Sequence, residues 1–176
     1  MKKLILSFVA VLVAGSVMSA QAQQIVKGDV SSGEQELLDR DLDNALAPIR
    51  SKVDLDRYLA SRQISATPLA ALSSGSRQRF LQSLIFGQNG LASFDYRDIR
   101  NELTATQAYR LLALFGVQRS TPAIPGLKVK TRADELILLL KPDAQSLRAT
   151  DYQDYKCESR ATCAPAIGLI CIGANC

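Results

Sequence analysis

Four cysteines, Cys157, Cys163, Cys171 and Cys176, close the chain, and their even number and tight clustering point to two disulfides. Three pairings exist. Loop-closure entropy slightly favours sequence neighbours, Cys157 with Cys163 and Cys171 with Cys176, by less than the strain in loops this short. A zinc site fits poorly, because the chain has no histidine and no Cys-x-x-Cys knuckle. Between the expected bridges runs an unusually apolar stretch, residues 164–172. Its Ile167, Leu169, Ile170 and Ile172 either pack on the rest of the domain or offer a surface to a partner or a membrane.

The absence of histidine removes Ser-His-Asp and Cys-His nucleophiles, the helix-borne zinc protease motif and the commonest general base. A Ser-x-x-Lys pattern, a Gly-x-Ser-x-Gly elbow and a phosphate-binding glycine loop are missing as well. Carboxylates are the chemistry left. Asp95 and Asp98 with Glu102, or Asp134 with Glu135, have the types of an acid and base pair in a small glycan hydrolase. Carboxylates near helix starts also satisfy the helix dipole, and that use explains them better. Asp39, Asp41 and Asp43 match the first three ligands of a calcium loop, but Asn44 replaces the turn glycine and Arg50 the closing glutamate, so these acids are expected to face solvent. Lys128, Lys130 and Arg132 line one side of an extended segment, and Arg77 and Arg79 start a helix. Either set has the charge to meet anionic headgroups, although nearby acids make ordinary solvated charge the simpler reading. No residue is assigned a catalytic, cofactor-binding or metal-ligating role.

The N-terminus sets the compartment. Lys2 and Lys3 precede an apolar run over residues 4–15, too short to span a bilayer, and Ala20 and Ala22 have the small-x-small spacing that signal peptidase cleaves. Residues 1–22 are therefore expected to be a signal peptide, giving a secreted or periplasmic product that begins at Gln23. No cysteine follows the apolar run to carry a lipid. Cleavage removes two of the 21 basic residues and no acid, leaving 19 against 17 and a formal charge of +2. That balance does not argue for nucleic acid. The remaining 154 of 176 residues suit one domain with a real core.

The elements that must hold these groups are mostly helical in pattern. Ser32 and Gln35 have capping-box spacing, and Leu37, Leu38, Leu42, Ala45, Leu46 and Ile49 recur at helical spacing in a helix that Pro48 ends or bends. Asp54 reads as the cap of a short helix bearing Leu55, Tyr58 and Leu59, and Thr67-Pro68 as the start of another with Leu69 and Leu72. Phe80, Leu81, Leu84 and Ile85 predict a helix from Ser76 to a Gly87 cap. Residues 94–103 suit a helix capped by Ser93 or Asp95. Thr104 and Gln107 repeat the capping-box spacing before Ala108, Leu111, Leu112 and Phe115, with Gly116 as stop. Residues 80–87 and 109–116 share an aromatic start and a Phe-Gly end, as two glycine-capped amphipathic helices do without being a repeat. Residues 117–126 form a loop and 127–130 alternate like a short strand; Thr131 can cap a helix through Leu140, although the unbroken aliphatic run from Leu136 to Leu140 also suits a buried strand.

The expected fold is thus mainly α: a helical domain over residues 23–140, a polar connector over 141–156 and a disulfide-bonded tail over 157–176, with a small β element near 127–140 or 167–172. The expected function is that of an exported, non-enzymatic binding or accessory factor for a protein or other envelope component. Membrane contact is expected only through the apolar tail. Two alternatives remain: a secreted toxin or antimicrobial precursor whose tail is the active part, and a small carboxylate-dependent glycan hydrolase.

Overall fold

The computed structural model describes residues 32–140 and 150–176. The expected signal peptide, the leader that follows it and residues 141–149 lie outside the described residues. In chain order the elements are α1 (Ser32–Leu46), α2 (Lys52–Ser61), 3-10 turns at Ile64–Ala66 and Pro68–Ala71, α3 (Ser74–Ser83), β1 (Ile85–Gly87), β2 (Gly90–Asp95), α4 (Arg97–Glu102) and α5 (Ala105–Ala113). A third 3-10 turn (Gln118–Ala123), α6 (Arg132–Leu139), β3 (Asp151–Ser159) and β4 (Thr162–Ile172) follow among the described residues.

The mainly helical expectation is corrected. The helices pack with a four-stranded antiparallel sheet of order β1-β2-β4-β3, so the fold is mixed α and β. The connector and the tail supply two of its strands, and β4 occupies an interior position. The predicted helix from Ser76 stops at Ser83, whose hydroxyl donates to the Phe80 carbonyl and accepts from the Asp95 amide. Ile85 and Phe86 then run extended into a hairpin that turns through Gln88 and Asn89. Gly90, at φ +110°, takes the left-handed position such a turn needs before the returning strand. Residues 90–95 are the second strand, which takes Phe94 and Asp95 from the helix expected over 94–103, and only Arg97–Glu102 is helical. The alternating residues 127–130 form no strand. Lys128 makes an isolated parallel bridge with Thr104, and Leu127 packs in the core.

Local capping chemistry is borne out where it was clearest. Thr104 accepts from the Gln107 amide at 3.3 Å while the Gln107 side chain accepts from the Thr104 amide at 2.9 Å. Thr131 and Asp134 make the equivalent box at the start of α6. The short helix near residue 54 is capped by Ser51, with Asp54 inside its first turn. The core is centred on Phe80, which meets Phe94 and Phe115 edge to face at 6.3 and 5.9 Å between centroids. Leu91, Ile99, Leu103, Leu111, Leu112, Ile170 and Ile172 pack in the same cluster.

Asp134 is buried, and its carboxylate accepts from the amides of Thr106 (2.7 Å), Lys130 (3.0 Å) and Thr131 (2.9 Å), tying α6 to the start of α5. These donors, the Thr106 amide first, hold its pKa far below the usual carboxylate range. Asp134→Ala leaves those amides without their acceptor and is expected to lower Tm by about 5 °C or more. The depressed pKa means this stabilisation is whole above the unfolded value and fades as the pH falls through the folded one. Thermal melts should therefore show the gap between the two proteins narrowing below about pH 4.

Candidate functional site

The cysteine region is a corner. Along β3 and β4 the register runs Gln153 with Ile170 and then Tyr155 with Pro165, so four residues of β4 oppose Asp154 alone. Asp154 adopts φ +62° and Gly168 φ +89°, and the Arg97 side chain stands where a Gly168 Cβ would be. The Asp154 carboxylate fixes the bend by accepting from the Gly168 amide and the Tyr96 hydroxyl, each at 2.8 Å. Those bonds, Gly168 first, hold its pKa below the ordinary value.

An unbroken strand would separate Cys163 from Cys171 by about 26 Å. The bend brings their Cα atoms to 6.0 Å, bonded to each other, and Cys157 bonds Cys176 with Cα atoms 5.5 Å apart. The neighbour pairings favoured by loop entropy are thereby corrected, because the fold-back of the hairpin decides which sulfurs meet. The sulfurs of Cys157, Cys171 and Cys176 lie within 4.8 Å of one another. All four cysteines are oxidised, which removes the thiolates a metal would need.

The four apolar residues of this region separate sharply. Ile170 and Ile172 are core residues at 0% and 1% exposure, Leu169 is half-buried, and Ile167 alone stands free at the corner tip, 88% exposed. The sequence grouped them as one surface, but the corner divides them.

The carboxylates Asp95, Asp98 and Glu102 do gather, together with Ser73, Ser76, Arg79 and Arg97. Arg79 grips Asp98 with bonds of 2.9 and 2.7 Å, Ser76 donates to Glu102, and Arg97 pairs with Asp95. The Arg79 bond lowers the Asp98 pKa, and the Ser76 hydroxyl lowers that of Glu102. Both are held as anions that join α3 to α4, whereas a glycosidase acid needs a pKa raised into the working range. The basic residues divide too. Arg77 donates to the Leu69 and Leu72 carbonyls and Arg79 serves Asp98, while Lys128, Lys130 and Arg132 stay exposed.

No protein-family model, curated protein or solved structure matches this chain.

What sequence reasoning missed lies on α1, which is turned inside out. Its inner side is ionic. Arg40, 6% exposed, donates to Asp151 of β3 through two bonds of 3.1 Å and to Glu36 at 2.8 Å. Arg119, from the third 3-10 turn, reaches Glu36 (3.1 Å), Asp39 (3.0 Å) and Asp43 (2.9 Å). Asp39 and Asp43 therefore turn inward to a guanidinium, a correction to the expectation that they face solvent, and only Asp41 of the three points out. Gly116, at φ +69°, and Gly90 admit the end of the helix, since a Cβ on either would strike Asn44. Burial pushes the Asp151 carboxyl above its ordinary pKa, against the pull of Arg40.

With its charges turned in, α1 carries its leucines outward: Leu38 and Leu42 are more than half exposed and Leu46 is 75% exposed. Burial is the usual meaning of such spacing, and here it is reversed. The spacing of four places them in one row along the helix. A second apolar face lies on and just after α6, where Leu136, Leu139 and Leu140 are exposed, beside Val129 and the exposed basic residues Lys128, Lys130 and Arg132.

Proposed function

We propose that this chain is an exported, non-enzymatic protein that acts by binding another polypeptide. The carrying observation is the leucine row of α1, held outward by an ionic inner face. Apolar side chains scattered singly on a surface need no explanation, whereas an aligned row on a helix is what a partner buries. The compartment part of the reading is supported by the signal-peptide pattern and by two disulfides, which persist in oxidising surroundings. Among the described residues no helix is long and apolar enough to cross a membrane.

The alternatives have less behind them. A released toxin would need β4 drawn out of the sheet and Ile170 and Ile172 out of the core. A glycan hydrolase would need a proton donor, and the gathered carboxylates Asp98 and Glu102 are stabilised as anions.

The test is a photo-activated crosslinking residue placed at Leu42 or Leu139 in cells that export the protein. Discrete polypeptide adducts at these positions, with none from the exposed control Lys52, are the expected result. Absence of adducts, or hydrolytic turnover by the purified protein that vanishes when Asp95, Asp98 and Glu102 are replaced, would overturn the proposal.

A further inference from the structure

The two leucine faces differ in charge, and that difference selects a partner. On α1 the row is flanked by exposed Glu34 and Asp41, and the one basic residue of the helix, Arg40, is buried beneath it. On α6, Leu136, Leu139 and Leu140 sit at i, i+3 and i+4. Arg132 lies one turn before Leu136, Lys128 and Lys130 occupy the extended segment ahead, and the exposed acid Glu135 is paired with Arg132. One face is apolar and acidic, the other apolar and basic.

We propose that α1 of one molecule docks against α6 of a second copy of the same chain. This rests on the binding reading above and names the polypeptide bound. Charge complementarity carries it. An α1-to-α1 contact would bring Glu34 and Asp41 against their own counterparts, and an α6-to-α6 contact would do the same with Lys128, Lys130 and Arg132. Like charges juxtaposed at an apolar seam oppose both pairings. An anionic membrane is repelled by α1 for the same reason. Laid on each other, the two helices bury both leucine sets and face acids with bases. Rows spaced by three and four residues interlock in the manner that ordinary helix packing uses.

Light scattering and sedimentation equilibrium on the purified oxidised chain test this with two surface variants, Leu42→Glu on α1 and Leu139→Glu on α6. Circular dichroism melts check that both fold. The native chain is expected to gain mass with concentration, and each variant alone to associate at least tenfold more weakly. An equimolar mixture of the two variants should form a one-to-one complex, because each supplies the face the other has lost. Added salt should weaken every complex. A native chain that stays monomeric overturns the proposal. So does a mixture no better than its components, or association that survives Leu139→Glu and fails with Leu42→Glu, which means α1 pairs with itself. If the native chain is monomeric while Leu42 crosslinks to a different polypeptide, binding stands and self-docking falls; if Leu42 and Leu139 give no adduct and the chain is monomeric, both fall.

Discussion

Replacing Arg40 by methionine is expected to destabilise the protein by about 3 kcal/mol or more at pH 8, and by clearly less at pH 5. The substitution keeps the length and apolar stem of the side chain while removing the cation that faces Asp151 and Glu36. Asp151, 4% exposed at its side chain, then carries a buried charge with no counterion. Its carboxyl is already raised by burial, and losing Arg40 raises it further. A raised folded pKa makes ionisation costly to the native state. The penalty is therefore full at pH above that value and fades as the pH falls through it and the carboxyl takes up a proton. Urea unfolding at the two pH values measures the difference. A loss that is equal at both, or larger in acid, would mean that Arg40 and Asp151 do not form the contact that seats α1.

The second large effect separates residues that stand three apart in one strand. Ile170→Ala should cost about 2–5 kcal/mol, the usual range for emptying a fully buried aliphatic site, because Ile170 is enclosed in the core beside Phe94, its partner across β2 and β4. Ile167→Ala, at the exposed corner tip, should change stability by less than about 0.5 kcal/mol. Chemical denaturation of the two variants checks both values. Equal effects would return residues 164–172 to the status of an appended tail and remove β4 from the sheet.

These contrasts show what the sequence carries and what it hides. The box at Thr104 with Gln107 and the cap at Thr131 were legible because their chemistry is complete within four residues, whereas the part of Asp134 in the second box was not read. The sheet was not legible. Residues 164–172 form an apolar run with no alternation, since β4 is bent at Gly168 and its two halves face different surroundings. The hairpin did leave a signal in Asn89-Gly90, a turn dipeptide that outweighs the helical spacing of Leu84 and Ile85. The disulfide pairing depended on the same bend and could not be read from spacing. The carboxylate cluster was legible as a group, because Asp95, Asp98 and Glu102 are close in sequence. That it is a clamp was not, because Arg79 and Ser76 come from a different helix.

On α1 the periodicity was correct and its direction was wrong. A helical stripe of leucines says that two faces differ, and burial is its default meaning. The inward side here is set by Arg119 and Asp151, which lie 80 and 111 residues from their partners Asp39 and Arg40. The clue in the sequence was Arg40, a lone cation among five acids on one helix.

The function, the proposed self-docking and the pH effect at Asp151 share one premise, the way α1 is turned. Hydroxyl-radical footprinting of the oxidised protein, at a dilution that keeps it monomeric, measures this side chain by side chain. Leu38, Leu42 and Leu46 should be modified at rates approaching that of Ile167 and far above those of Leu55 and Leu111. Protection of the three leucines to the level of Leu55 would place them in the core and contradict the account.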